Sequence, residues 1–424
     1  MTTDDGQRSP DRTVNLFLYI LYKATRVAFG KLQDVYWALR YGVPKGERCQ
    51  ILNVKWHLKR DWEEPGEPAD FVCAHSHFAD FDSVFHDLKW TPYTYDDRYV
   101  YLARMPRPFL ENYAVDKQAF AYPAVCYNAQ QLARVELDGF CASVGSLCPD
   151  SAFDGANFVF STHVARSGST LLARMLHHEG VCTVLAEPPA ITALSLRLEQ
   201  GMWPTERFRS ILGATMRFEA RLFPKGQTLV VKATSWETQL VPHVRQSAPF
   251  YKHFFLFRWH GRESVERMLK WDLESRRVLF WLWHRVPRFA SFVSGTLAKE
   301  HDFMIKTRAS RMAEYAQVYY LAPYRVYLDH QTLFDQSEPV FYHEIVSDEL
   351  RRGALAKLFR LCNVPLLCGG RVVAGTRLTG WHGLRPRSHE ADDSGPVDDA
   401  LKTRLYEIAR LMRFTDAEAM QFNK

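Results

Sequence analysis

The sequence predicts an α/β protein: a three-layer domain with a central, mostly parallel sheet over residues 156–390, preceded by an α+β domain over residues 1–155. Three observations carry that prediction. From Asn157 onward, short apolar runs alternate with amphipathic stretches of helical period, which is the rhythm of parallel strands covered by helices on both faces. The first run, Phe158–Ser161, leads through a short polar loop with one glycine, Gly168, into an amphipathic stretch. Before Asn157 the rhythm differs, with short strands set between turns rich in Pro and Asp.

Taken in order, residues 1–12 are polar and expected to be disordered, and 13–41 read as a helix. Predicted strands at 49–56, 70–74 and 98–103 follow, then a helical stretch over 128–144. In the second domain the prediction is strand 158–161, helix 169–178, strand 181–185, helices to about residue 220 and strand 228–232. A helix over 237–246, a strand over 253–258 and a helix over 262–271 complete the alternation. Residues 275–323 read as helical and basic-aromatic, with Trp281, Trp283, His284, Arg285 and Arg288. A strand at 326–329, a segment 340–346 and a helix at 348–361 come next. Residues 368–388 form a Gly/Arg-rich loop, and a C-terminal piece over 391–424 begins as an acidic linker and ends in a helix over 400–412.

With 424 residues, 47% hydrophobic and 24% charged, the chain has the composition of an ordinary globular protein of one or two domains. Its net charge of +6 suits anionic ligands but is too diluted over this length to predict a nucleic-acid polymer as partner. The eight cysteines are irregularly spaced without a C-x-x-C pair, so neither a zinc site nor a disulfide framework is expected. The apolar cluster 14–22 is stopped by Lys23 and Arg26, short of the roughly 20 residues a spanning helix needs. Asp4 and Asp5, the lack of a small-residue cleavage site and the lack of an Asn-x-Ser/Thr sequon together give a cytoplasmic expectation. Residues 14–40 interleave Lys23, Arg26, Lys31 and Arg40 with aromatic and aliphatic residues. That pattern fits a helix packed on the protein's own body, which is the expectation, or peripheral contact with a membrane surface.

The chemistry-bearing positions gather where ligands bind such sheets, beyond the carboxyl ends of the strands. A strand, a tight loop and a helix start form an anion site in which loop amides, the helix dipole and Arg166 supply positive charge, with Ser167, Gly168, Ser169 and Thr170 around the group. A nucleoside-triphosphate loop needs a lysine where Ser169 follows Gly168, which argues against an ATP-dependent phosphotransferase. Glu187, after the second strand and before Pro188-Pro189, suits a general base, with a helix cap as the alternative. Lys232 ends the third strand, where it can neutralise a leaving oxygen or form a strand-end salt bridge. Arg258 ends the fourth and can bind a second anionic group.

These residues resemble the PAPS-dependent sulfotransferases, which carry a P-loop NTPase-like fold. The tyrosylprotein and related branches have a loop Pro-Arg-Ser-Gly-[Ser/Thr]-Thr-Leu-[Leu/Met]; here Ala165-Arg-Ser-Gly-Ser-Thr-Leu-Leu172 has Ala for Pro. Their catalytic Glu stands 21 residues after the loop Arg, as Glu187 stands after Arg166. Lys232-Ala-Thr resembles the family's Lys-x-Pro-like segment, and Phe341–Ser347 its Tyr-Glu-Asp-Leu element. The resemblance covers roughly residues 157–365 and implies sulfuryl transfer from PAPS (3′-phosphoadenosine 5′-phosphosulfate) to an acceptor hydroxyl without a required metal. Glu187, Lys232 and Arg166 would be catalytic, with Arg166–Thr170 on the phosphosulfate. The segment Arg258–Arg267 departs from the family's 3′-phosphate pattern: one residue is inserted and Asp-Pro is missing, which leaves either Ser264 as the substitute or Arg262 and Arg267 as direct contacts. An inactive nucleotide- or phosphate-binding module is the alternative that this departure raises.

One further cluster, Cys73–Asp82 with His86 and Asp87, brings His75, His77, Asp80 and Asp82 close in sequence. Its spacing misses the His-x-His-x-Asp-His pattern of metallohydrolases, and ordinary surface chemistry is expected. Trp271, Trp281 and Trp283 are read as core or acceptor-pocket wall.

Overall fold

The computed structural model describes residues 12–59, 65–115, 118–165, 167–223, 226–257, 286, 306–309, 312–335, 340–347, 350–363 and 399–422. They form an α/β protein on two five-stranded sheets. The first sheet is antiparallel: β1 (Arg48–His57), β2 (Phe71–Asp80), β3 (Trp90–Tyr95), β4 (Tyr99–Arg104) and β5 (Gln131–Glu136), in the order β2-β1-β5-β4-β3. The second is parallel: β6 (Asn157–His163), β7 (Cys182–Ala186), β8 (Thr228–Lys232), β9 (Tyr251–Phe257) and β10 (Val340–Phe341), in the order β10-β9-β6-β8-β7. Every residue of β6 and β8 is buried, as expected of parallel strands covered on both faces.

In the parallel sheet β6 lies in the centre. The chain goes from it to β7 and β8 on one side and then to β9 on the other, so the strand order reverses beside β6. Helices α1 (Arg12–Tyr41), α2 (Phe81–His86), α3 (Phe109–Asn112), α4 (Ala121–Asn128) and α5 (Leu137–Leu147) accompany the first sheet. Helices α6 (Ser169–Leu176), α7 (Pro189–Glu199), α8 (Thr205–Ala220) and α9 (Val241–Ser247) alternate with the strands of the second. Beyond β9 come α10 (Met312–Asp329), α11 (Tyr342–Val346), α12 (Arg351–Leu361), α13 (Asp399–Leu411) and α14 (Asp416–Phe422).

One continuous hydrophobic core serves both sheets. Strand β3 packs on α7 and α8: the Tyr95 and Thr215 hydroxyls are hydrogen-bonded at 2.7 Å, and Arg197 donates to the Tyr95 carbonyl at 2.8 Å. Arg221, just past α8, donates to the carbonyls of Phe85 (2.8 Å) and Trp90 (3.1 Å). Glu219 is buried in the same layer. Loss of water pushes its carboxyl up to about 8, against the opposing pull of Arg221.

Several elements differ from the sequence prediction, each for a local reason. Residues 131–136 are strand β5, where a helix over 128–144 was predicted. The strand sits inside the sheet, where its buried Arg134 is paired with Asp34 on α1 at 2.9 Å. Strand β3 was missed because Pro92 interrupts it. It is an edge strand with a register shift between Pro92 and Thr94, a place where Pro is tolerated. Residues 326–329 are not a strand but the end of α10, which continues through Pro323. Tyr324 and Tyr327 stack there on Phe257 and Phe255, with centroids 3.9 and 4.6 Å apart. The C-terminal piece holds two helices, and Phe414 and Phe422 seat it against Tyr324.

Helix α1 is docked by its polar side. Lys23 pairs with Glu67 at 3.3 Å, and Arg26 pairs with Glu67 at 3.2 Å and Asp70 at 3.4 Å. The Tyr22 hydroxyl donates to the Leu58 carbonyl, and Trp37 is buried. Lys23 and Arg26 are therefore not surface cations interleaved with apolar residues; only Lys31 and Arg40 of that predicted set are exposed. No helix among the described residues is long and apolar enough to cross a membrane.

Candidate functional site

The site is built where β6, β7 and β8 end. Ser161 and Ala186 both lie level with Lys232 in the sheet, and the Ala233 and Glu187 amides extend the ladder to the Ser161 and Lys232 carbonyls at 2.8 and 2.7 Å. On the far side of β6, the Val164 amide donates to the Leu256 carbonyl at 3.2 Å. The chain then turns: the Ser167 amide bonds back to the Val164 carbonyl at 3.3 Å, and Gly168 takes φ +81° before α6 begins. That left-handed conformation costs other residues roughly 1 kcal/mol, which is why the loop needs its glycine. No side chain caps the start of α6 among the described residues, which leaves its first amides without a side-chain acceptor there.

Ser167 is fully buried and its Oγ has no hydrogen-bond partner among the described residues. An unmatched buried hydroxyl costs about 1–3 kcal/mol, which an oxyanion accepting its proton offsets. Ser169 and Thr170 are half-buried on the first turn of the helix. Arg166 lies outside the described residues, as do Arg258, Arg262, Ser264, Arg267, Trp271, Trp281 and Trp283.

Glu187 and Lys232, 45 positions apart in sequence, form an ion pair. Glu187 has φ +54°, an uncommon conformation for a residue with a Cβ. It does not cap α7, whose N-cap is Pro188 with no side-chain cap bond. The strand-end salt bridge foreseen for Lys232 is present, and its partner is the carboxylate foreseen as the base. Lys232 is 3% exposed and Glu187 21%, so the pair has an inner cation and a more exposed carboxylate.

Four neighbours were not singled out by the sequence. His163, at the end of β6, is buried, and its Nδ1 lies 2.9 Å from the Val164 carbonyl. Burial first and the Lys232 charge second push its pKa down to about 3, so it stays neutral at ordinary pH. Glu237 is also buried. It accepts the Thr192 hydroxyl at 2.5 Å and the Thr234 amide at 2.6 Å, which ties the turn after Lys232 to α7. Burial raises its carboxyl to about 7, and the Glu187 charge adds to the effect.

The other two come from the first sheet's part of the chain. The Tyr113 hydroxyl accepts the Ala186 amide at 3.2 Å, and the Phe120 ring centre is 5.3 Å from Lys232 Nζ. Arg174 on α6 donates to the Val115 carbonyl at 3.3 Å, so Tyr113 lies against the end of β7 and Val115 against the flank of α6. His163 was visible in the apolar run before the loop. Tyr113 and Phe120 had no local signal, because only tertiary packing brings them there.

The His75 region is otherwise engaged. His75 Nδ1 is 3.1 Å from Gln50 Nε2 and its ring stacks on Tyr41 at 4.0 Å, while His86 and Asp82 pair on the surface at 3.3 Å. No group of three or more His, Cys, Asp or Glu among the described residues is arranged to hold a metal ion. A shallow groove between α5 and α8, lined by Cys141, Gly145, Asp150, Ser210 and Arg217, includes none of the site residues. The chain matches no family model, no curated protein and no solved structure.

Proposed function

We propose that the carboxyl edge of the parallel sheet transfers a sulfuryl group from PAPS to an acceptor hydroxyl, on a P-loop-type domain. The observation that carries this reading is the Glu187–Lys232 ion pair beside a glycine-led helix start with an unmatched buried hydroxyl. The position of the loop, after the central strand where strand order reverses, adds to it. A phosphosulfate fits the donors present: the first amides of α6, the Ser167 hydroxyl and the Lys232 ammonium.

When bound, PAPS supplies an activated sulfuryl group with a phosphate leaving group. The chain's own residues do the rest. Glu187, the more exposed of the pair, takes the proton of the acceptor hydroxyl. Lys232, held at the strand end, places a fixed positive charge where negative charge develops and counters the anion at Glu187 before the donor arrives. His163 and Glu237 are buried behind them: one is a neutral wall, and the other anchors the turn that carries Thr234. Tyr113 and Phe120 exclude water on the β7 side.

Transfer of labelled sulfate from PAPS to acceptors ranging from small phenols to glycans and proteins tests the proposal. Turnover by the wild-type chain that falls by about 10²- to 10⁴-fold in Glu187→Gln, with donor binding kept, is the expected result. The altered Arg258–Arg267 segment favours one second reading, an inactive nucleotide- or phosphate-binding module. Binding of adenosine 3′,5′-bisphosphate without turnover on any acceptor selects it.

A further inference from the structure

Helix α1 is turned inside out for a helix on a water-facing surface. Its Lys23 and Arg26 are buried in ion pairs with Glu67 and Asp70, and its Asp34 pairs with Arg134. Its outer side carries Leu18, Leu21, Phe29, Leu32, Val35, Tyr36 and Leu39, all exposed; Leu32 is 68% and Leu39 84% accessible. At 3.6 residues per turn these seven side chains fall on a single arc of about 120°, and at 1.5 Å per residue the stripe runs for roughly 32 Å. Lys31 lies beyond one edge of the arc and Arg40 beyond the other, and both are exposed. The one acid between Leu18 and Tyr41 is Asp34, on the docked side.

From this we infer that the outer face of α1 is a membrane-docking surface that seats the protein on an anionic bilayer. Leucines and aromatics enter the acyl boundary, and the two flanking cations meet lipid phosphates. The width of the stripe and the sign of its borders decide the occupant. A helix pairing with a second copy uses a narrower seam and borders of opposite charge. Here both borders are positive and the described residues of α1 offer no exposed acid to meet them, which an anionic headgroup layer supplies and another copy of α1 does not. No described helix is long and apolar enough to span, so α1 lies in the interface plane, held there by its ion pairs to the body.

Sedimentation of the full chain with phosphatidylcholine vesicles, with and without phosphatidylserine, tests this. The expected result is co-sedimentation strengthened about tenfold or more by phosphatidylserine and weakened by salt. Leu32→Glu with Leu39→Glu abolishes binding to both vesicle types, and Lys31→Glu with Arg40→Glu removes the phosphatidylserine preference. All four positions are exposed, and circular dichroism and melting temperature establish that each variant is folded. A wild-type chain that stays in the supernatant with anionic vesicles overturns the inference whatever the variants do. So does binding that survives the double leucine change. A dimer in light scattering that the leucine change dissolves, with no vesicle binding, assigns the face to a second copy instead.

Discussion

Glu187 combines a left-handed backbone, partial exposure and a buried cationic partner, Lys232, which also lies under the Phe120 ring. Lys232→Ala is expected to lower turnover by about 10²- to 10³-fold, the usual effect of removing one charge-stabilising donor. A change in acceptor KM alone contradicts that role. Glu219 offers a separate test of the buried layer. Its folded pKa of about 8 lies above the ordinary 4.5, so the folded protein keeps a proton that the unfolded chain releases between those values. Stability then falls as pH rises through that window, and Glu237 adds the same sign up to about 7. Glu219→Gln is expected to leave stability at pH 4.5 nearly unchanged and to raise it at pH 8. An unaltered slope of melting temperature against pH speaks against a buried acid at this position.

At the scale of elements, the turn into α6 decides whether there is an anion site at all. Gly168 (φ +81°) and Gly226 (φ +86°) hold similar backbone conformations, but Gly226 has open space around it and leads into β8 far along the chain from the loop. Each Gly→Ala change is expected to cost about 1 kcal/mol in urea unfolding, while only Gly168→Ala weakens nucleotide binding. Equal binding by both variants removes the loop from the site. The same elements show what could be read in advance. The strand–loop–helix from Phe158, the lysine ending β8 and the alternation to β9 were legible because buried parallel strands announce themselves as unbroken apolar runs. Strands β3 and β5 were not, since Pro92 and Arg134 break the local pattern and are accommodated by an edge position and by Asp34. The Glu187–Lys232 pairing was half legible: both residues stood out, yet their mutual contact depends on β7 and β8 being neighbours. Tyr113 and Phe120 reach the site from the stretch between β4 and β5, and no local pattern encodes that.

At the scale of the whole molecule, the two sheets share α7 and α8, and Trp203 links them again through the Asp97 carbonyl (3.3 Å) and an edge contact with Tyr95 (6.3 Å). Sheets bound through one core are expected to unfold together: tryptophan fluorescence and far-UV circular dichroism should give coincident urea transitions, whereas two separated transitions contradict a shared core. Tyr113 and Phe120 carry that union into the site, since they place part of the chain between β4 and β5 against Ala186 and Lys232. The most direct test of the account is a thermal-shift comparison of adenosine 3′,5′-bisphosphate, ATP and AMP on the full chain. Selective stabilisation by the bisphosphate, kept in Glu187→Gln and lost in Gly168→Ala, is the predicted result. Indifference to the bisphosphate, or stabilisation by ATP with magnesium alone, contradicts it.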